Sequence, residues 1–319
     1  MKKHLLVYDY DWWVLGQKAR IIKKHHPNLD ILSNKEIRLL TSTKGAGYIN
    51  SYYEIISTLS LGLAQLLVRL NIRVDTSQIG SYNYFMKNHE TYQEWRDKVQ
   101  PNKHFLQKIM KPIKQFGAIN PKLAQEVKKL TPEKNVNYIR QFVDTDRFRP
   151  IPSKQKRNKK EIIIGWAGNN TRSVKNHKTL YQPIVKSLQK NSNITFVEAT
   201  RASRVPLKDM PAFYRSLDLL LITSSNEGGP APALEANACG IPVLSTNVGY
   251  VQKITDPAGK FLILNSDRPN DFIKKIKFLE ENRDVLQKLK RRARENIMSH
   301  WTIEKTISDW MQTLFHISI

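Results

Sequence analysis

The sequence predicts an α/β protein with two doubly wound parallel-sheet domains, and three observations lead there. In the second half, short apolar runs alternate with helical stretches, a pattern that builds parallel sheets. The 319 residues suffice for two domains of about 150 residues each. Residues 217–243 read as strand, loop, helix, loop and strand: an apolar run at 217–222, a Gly228-Gly229-Pro230 turn, a helix near 231–238, and Gly240-Ile241-Pro242 leading into a further strand. Open parallel sheets bind ligands at such units, beyond the carboxyl ends of their strands.

The elements follow in order. Residues 5–8 form a buried strand, 9–15 a loop and 16–25 a basic helix; 29–32 and 37–40 are weaker strand candidates. Apolar spacing over 52–70 (Ile55, Ile56, Leu59, Leu63, Leu66, Leu67, Leu70) predicts one helix packed on a sheet. A strand at 72–76, helices near 105–113 and 122–130 and a strand at 136–139 complete the first half. The basic, polar stretch 153–160 has no apolar period and reads as the linker between domains. The second half gives strands at 162–167, 194–197, 217–222, 243–245 and 261–264, with helices at 177–189, 209–216, 231–238, 269–281 and 284–298. Residues 301–315 form a terminal amphipathic helix.

Fifty-two Lys and Arg against 28 Asp and Glu leave a net charge of +24, shared equally between residues 1–150 and the rest. Such an excess attracts anions: a nucleotide, a membrane surface, a polyanionic glycan or nucleic acid. A merely solvated basic surface explains it equally well. Cys239 is the sole cysteine, which rules out an internal disulfide and fits a reducing compartment; its apolar setting reads as packing rather than a reactive thiol. The first apolar run is broken by Asp9 and Asp11, unlike a signal peptide. The best membrane-span candidate, 59–70, is far shorter than about 20 residues. The expectation is a cytoplasmic protein, soluble or peripheral at the inner face of the membrane.

Glu227 and Glu235 stand eight positions apart, the first beyond a strand and the second near a helix start. The free N–H groups and positive dipole end of a helix suit a phosphate, whereas carboxylates beside a phosphate suit neutral hydroxyls. A nucleotide sugar carries both. This spacing resembles the Glu-x7-Glu signature of the retaining glycosyltransferases of family 4, which have the GT-B fold. Asp209-Met210-Pro211-Ala212-Phe213-Tyr214-Arg215-Ser216-Leu217-Asp218, Ala236-Asn237-Ala238-Cys239-Gly240-Ile241-Pro242-Val243, Val143-Asp144-Thr145-Asp146-Arg147-Phe148-Arg149-Pro150, and Ile164-Gly165-Trp166-Ala167-Gly168 followed by Lys175 resemble further segments of the same family, in the same order. The resemblance runs from about residue 121 to the C-terminus.

It implies two Rossmann-like domains facing a cleft: 1–150 binding the acceptor, 151–301 binding the donor, and a final helix at about 302–319 packing back on the first. It implies that Lys175 and the loop of Gly168, Asn169 and Arg172 meet the donor diphosphate. Relatives carry an arginine where Asn169 stands, and Arg172 is the replacement within the loop. Glu227 with the amides of Gly228 and Gly229 would hold the sugar, Glu235 the ribose, and Ala231 would approach the donor through its backbone. Glu227 and Lys175 are the expected catalytic pair. Pro230 removes an amide that many relatives offer. UDP-sugars are the expected donors, with no obligatory metal or cofactor. The acceptor is expected to be a glycan, a lipid-linked glycan or another anionic polymer, as in polysaccharide biosynthesis, and the basic patch at 103–114 suits an anionic membrane or polyanion.

Asp9 and Asp11, after the first strand, are the acceptor-contact candidates, with His89 and His104 behind them. Trp12, Trp13, Tyr82, Tyr84 and Trp95 suit a sugar-stacking surface, although core packing accounts for them more simply. Asp9-Tyr10-Asp11 mimics an Asp-x-Asp metal motif, but eight preceding residues cannot build the nucleotide-binding unit that motif requires; His25-His26 lacks further ligands. Lys44-Gly45-Ala46-Gly47 lacks the full phosphate-loop pattern and reads as a turn. Two other classes remain open. A nucleic-acid-binding or DNA-modifying protein would use the positive charge, although paired acids repel a phosphate backbone. An epimerase or phosphorylase on a related fold would need no acceptor, or inorganic phosphate.

Overall fold

A computed structural model describes residues 3–151, 161–190 and 193–318. The chain divides into two compact units, the first formed within 1–87, 99–141 and 306–319, the second within 88–98 and 142–305. The predicted linker at 153–160 lies outside the described residues.

The first unit holds a six-stranded, wholly parallel sheet in the order β2-β1-β3-β4-β5-β6. Strand β1 (Lys3–Tyr8) runs between β2 and β3, and its Leu5, Leu6 and Val7 are fully buried. Continuous apolar runs of this kind mark strands covered on both faces. Helix α1 (Val14–Lys24) buries Gly16, Ala19 and Ile22 along one stripe and ends on Lys23 and Lys24, which suit the negative dipole end. Strand β2 (Leu29–Ser33) follows.

Residues 37–40 are helical, contrary to the strand expected there. Helix α2 (Asn34–Tyr52) starts at a capping box in which the Ser33 hydroxyl accepts from the Glu36 amide at 3.3 Å and the Glu36 carboxylate accepts from the Ser33 amide at 2.7 Å. The turn expected at 44–47 is instead a kink inside α2, where Gly45 adopts φ +80°. The single helix expected over 52–70 is a strand followed by a helix. The β-branched run of β3 (Tyr53–Thr58) pairs with β1, and the Ser60 hydroxyl then caps α3 (Leu61–Arg69) by accepting from the Leu63 amide at 3.2 Å.

Strand β4 is displaced to Thr76–Ile79 from the predicted 72–76. The buried Asp75 carboxylate accepts from the Ile56 amide at 2.9 Å and from Arg73 at 2.8 Å, which fixes the entry to the strand. A turn of helix, α4 (Lys103–Phe105), continues into a wider turn at Leu106–Met110 and buries Phe105, Ile109 and Met110. Strand β5 (Gln115–Ala118), helix α5 (Pro121–Leu130) and strand β6 (Asn135–Tyr138) finish the sheet.

The second unit has a five-stranded parallel sheet in the order β11-β10-β9-β7-β8. Its elements are β7 (Ile162–Ala167), α6 (Gln182–Leu188), β8 (Ile194–Ala199), α7 (Met210–Arg215), β9 (Leu219–Ile222), α8 (Ala231–Ala238), β10 (Val243–Thr246), α9 (Val251–Ile254), β11 (Ile263–Leu264), α10 (Pro269–Glu281) and α11 (Arg283–His300). Ile162, Ile164, Trp166, Leu219 and Leu221 pack with Leu180, Ile184, Phe272 and Ile276 into one core. The chain runs from β7 outward to β8 and returns to β9 on β7's other side, so the strand order reverses at β7. That reversal opens a crevice at the carboxyl ends of β7 and β9. The motif at 143–150 folds onto the same unit: Arg294 donates to the carbonyls of Phe148 at 2.9 Å and Ala238 at 2.8 Å.

The final helix, α12 (Ile303–Phe315), buries Trp310, Met311, Leu314 and Phe315. Its Leu314 carbonyl accepts from Thr76 at 2.9 Å and its Thr313 carbonyl from Gln115 at 2.9 Å, while Asp309 pairs with Arg140 at 2.8 Å. Among the described residues no helix is long and apolar enough to cross a membrane.

Candidate functional site

Two loops leave the carboxyl ends of the neighbouring strands β7 and β9. In loop 168–176 the Gly168 amide donates to Ala199 at 3.0 Å, and the Asn169 carboxamide oxygen accepts from the Thr171 amide at 3.1 Å and its hydroxyl at 2.8 Å. Asn169 therefore closes its own turn. Successive bonds from Arg172 to Asn169 (3.2 Å) and from Lys175 to Arg172 (3.1 Å) coil the loop, and Asn176 ends it in the left-handed region at φ +49°.

Loop 223–230 is tied to the first. The Ser225 amide donates to the Val174 carbonyl at 2.8 Å, and the Thr223 hydroxyl donates to the Lys175 carbonyl at 2.7 Å. Thr223 is itself held by the Trp166 indole N–H at 3.0 Å. With both backbones fixed, the Lys175 ammonium donates to the Glu227 carboxylate, which also accepts from the Ser224 hydroxyl at 2.7 Å. Lys175 and Glu227 keep 17% and 15% of their side-chain surface, so the pair is largely desolvated yet reachable. The fold brings together two residues 52 positions apart.

Glycine is required next to them. A side chain at Gly229 would overlap the Tyr250 ring. Gly249 adopts φ +56°, and a Cβ there would lie 2.9 Å from the Gly229 Cα and 3.0 Å from the Gly228 carbonyl. The loops before α8 and before α9 thus pack backbone on backbone. Helix α8 begins at Ala231, which places Glu235 in its second turn rather than its first. The Tyr214 hydroxyl donates to the Glu235 carboxylate at 2.7 Å. Burial, reinforced by the Glu235 charge, drives the Tyr214 phenol well above its ordinary pKa, so it stays a donor. Cys239 is buried at the end of α8; burial pushes its thiol up to about 12 and leaves it unreactive. Arg172 is exposed beside Glu90, whose carboxyl is held below its usual range first by a hydrogen bond from Ser173.

Sequence reasoning missed the residues that hold this loop from outside. Glu94, 2% exposed, accepts through one carboxylate oxygen from the amides of Glu227 at 3.2 Å and Gly249 at 3.0 Å. The Asn226 carboxamide donates to the carbonyls of His89 at 2.8 Å and Tyr92 at 3.0 Å. Residues 88–98 show no apolar period, and nothing in their composition marks this role.

Asp9 and Asp11 lie in the first unit, in the loop after β1, whose two neighbours β2 and β3 make it that sheet's own point of reversal. Asp9 accepts from the Tyr10 amide at 2.7 Å and is raised in pKa by burial; Asp11 accepts from the Tyr8 hydroxyl and lies 3.5 Å from Arg20. Core packing does not account for Trp12, Trp13 and Tyr84, which are 58%, 50% and 45% exposed; Tyr82 is buried and Trp95 half-buried. The two indoles meet edge-on, with ring centroids 5.1 Å apart. His89 pairs with Glu90 at 3.0 Å, and His104 is exposed. Among the described residues no cluster of three or more His, Cys, Asp and Glu side chains has the arrangement of a metal site. A cavity of about 1120 Å³ lined by Arg215, Asp218, Cys239, Lys290 and Arg294 lies at the amino ends of the second unit's strands, opposite the two loops.

The sequence profile described as glycosyl transferases group 1 matches residues 113–296, more than half of the chain. An uncharacterized glycosyltransferase of Methanocaldococcus jannaschii, MJ1178, is 29% identical over 116 residues, which cover 36% of this chain and 32% of that protein. The chain spans about a third or less of the length of the first curated relatives it matches. Sucrose-phosphate synthase from Thermosynechococcus elongatus superposes with a TM-score of 0.72 at 12% identity, covering 99% of this chain and 98% of that one. HepE of Anabaena in complex with UDP-glucose gives 0.68 at 10% identity, covering 98% and 100%. At such identities the likeness concerns the fold, which is GT-B. The profile match and the two parallel α/β sheets agree on one assignment: the chain belongs to the glycosyl transferases group 1 family.

Proposed function

We propose that this protein is a retaining glycosyltransferase of the family 4 type, which moves a sugar from a nucleotide-diphosphate sugar to a hydroxyl of an acceptor glycan, a lipid-linked glycan or another anionic polymer. The observation that carries this reading is the Lys175–Glu227 contact at the reversal point of the second sheet. An ammonium there offsets the charge that grows on a departing diphosphate, the largest electrostatic demand of the reaction. Lys175 has three N–H donors, so it can reach a phosphate without releasing Glu227. Glu227 and the amides of Gly228 and Gly229 hold sugar hydroxyls, and Glu235, oriented by Tyr214, holds the ribose. Loop residues Gly168, Asn169 and Arg172 line the diphosphate side, and Ala231 approaches through its backbone. The donor phosphate itself takes the acceptor's proton, and Asp9 and Asp11 contact the acceptor. Retention of configuration follows from the resemblance of the Glu227/Glu235 spacing to family 4.

UDP-sugars are the proposed donors, in keeping with the UDP-glucose named for the HepE complex. The domain roles follow, acceptor on 1–150 and donor on 151–301. The reaction needs no cofactor in this reading. The net charge of +24 favours an anionic acceptor or an anionic surface, with the protein peripheral at the inner face of a membrane. The test is thermal stability with UDP, GDP, ADP and CMP for the wild type and Glu235→Ala. A ligand at 100 times its dissociation constant adds about 2.7 kcal/mol. A shift with one nucleotide that shrinks in the variant supports the donor site and names its base. No shift with any of the four removes it. Salt-sensitive DNA binding without nucleotide binding would favour the nucleic-acid reading instead.

A further inference from the structure

The segment 88–98 belongs to the second unit although it lies in the first half of the sequence. Five hydrogen bonds seat it there. Asn226 donates to His89 and Tyr92, the Glu94 amide donates to the Ser225 carbonyl at 2.9 Å, and the Glu94 carboxylate takes the amides of Glu227 and Gly249. Two further bonds extend the attachment: Ser173 donates to Glu90, and Gln93 to Asp267 at 2.7 Å. One segment therefore grips loop 168–176 through Ser173, loop 223–230 through residues 225–227, and the turn before α9 through Gly249.

Glu94 is the centre of this arrangement. Burying a carboxylate is costly unless it is well bonded, and charge-assisted bonds to amides are the strong kind. Both N–H groups converge on one oxygen, which fixes the separation of two loops that already touch through Gly229 and Gly249. Moving the Glu227 amide moves the Glu227 carboxylate away from Lys175 and Ser224.

The geometry points to Glu94 as a positioning residue for the sugar half of the donor site: it sets Glu227 without touching the ligand. This rests on the donor reading above. Glu235, which serves the nucleotide half, is oriented separately by Tyr214 on α7. Loss of Glu94 should therefore act on the sugar and spare the nucleotide.

The readout is the ratio of two dissociation constants from calorimetry: that of the sugar nucleotide bound tightest by the wild type among UDP-glucose, UDP-N-acetylglucosamine and GDP-mannose, and that of the matching nucleoside diphosphate. In Glu94→Ala the sugar nucleotide should weaken by about tenfold, the loss of one charge-assisted contact. The diphosphate alone should stay within about twofold. Glu227→Ala should show the same pattern, and the double variant should lose nothing further. Glu94→Gln, which keeps an oxygen for both amides, should fall between. A Glu94→Ala variant that melts earlier but keeps the wild-type ratio overturns the proposal, as do losses that multiply in the double variant. Should Glu94→Ala not fold, Glu94→Asp, one methylene too short to reach both amides, is read in its place by the same criteria. A wild type that binds no nucleotide fails differently: it removes the donor reading itself, and the role of Glu94 with it.

Discussion

The buried Tyr214 hydroxyl donates to the Glu235 carboxylate across 2.7 Å, from the helix before β9 to the helix after it. Burial, reinforced by the Glu235 charge, keeps the phenol protonated, so its O–H stays available to aim the carboxylate. Tyr214→Phe keeps the ring and its packing and deletes the donor. Stability should fall by about 1–3 kcal/mol, the cost of removing a partner from a charged acceptor. Nucleotide affinity should fall severalfold, less than in Glu235→Ala. Denaturant melts and calorimetry with the binding nucleotide check both; an unchanged affinity would separate Glu235 from the ligand.

Lys175 and Glu227 test the chemistry rather than the binding. Lys175→Ala should lower kcat by about 10²–10³-fold, the usual loss when one stabilising donor is removed from a developing anion. Ground-state affinity for the donor should change much less. Glu227→Gln keeps the shape and discards the charge that steadies Lys175, so its loss should be smaller and should not add fully to that of Lys175→Ala. Single-turnover rates of sugar release from the donor, to acceptor or to water, provide the comparison.

Gly229 and Gly249 are predicted to be intolerant for different reasons. At Gly229 the obstacle is the Tyr250 ring; at Gly249 it is the positive φ together with the Gly229 and Gly228 backbone. Gly249→Ala adds conformational strain to overlap, and a cost of about 1–3 kcal/mol from overpacking alone is expected at either site. Tyr250→Ala should partly rescue Gly229→Ala and should do nothing for Gly249→Ala. Melting temperatures of the four variants decide this.

The second sheet was legible because each of its elements carries its own period, and short turns with Gly or Pro separate them. The first half misled where two periods overlap. Ile55 and Ile56 fall in phase with Leu59 and Leu63, so one helix fits the apolar spacing as well as a strand and a helix do; only the Ser60 cap marks the join. The weaker strand candidate at 37–40 is helical because the Ser33–Glu36 box just before it starts a helix. The Lys175–Glu227 pair was readable as two motif residues, though not as a contact. Glu94 was not readable at all, because its carboxylate meets backbone amides more than 130 positions away, and amides carry no sequence signature. The exposure of Trp12 and Trp13 is not legible either, because composition does not tell an exposed aromatic from a buried one.

In the first unit His4 Nδ1 and His26 Nε2 lie 2.9 Å apart, and the Phe315 ring stacks on His4 and meets His26 edge-on. One nitrogen must donate and the other accept, so the pair holds only when at least one ring is neutral. Burial lowers the pKa of both rings, His4 also through His316 and His26 also through His4, while the Glu54 carboxylate works the other way on His4. Both folded values thus lie below the ordinary 6.5. Above that pH both states are neutral and the stability is fully present. As pH falls below it the unfolded chain binds protons that the folded chain refuses, and stability drops. The midpoint of urea unfolding should therefore fall between pH 7 and pH 5, a window set by the direction of these shifts. In His26→Gln, which can still bond to His4 but does not titrate, the fall should be shallower over the same window. An equal slope in both proteins would move the acid sensitivity to other groups.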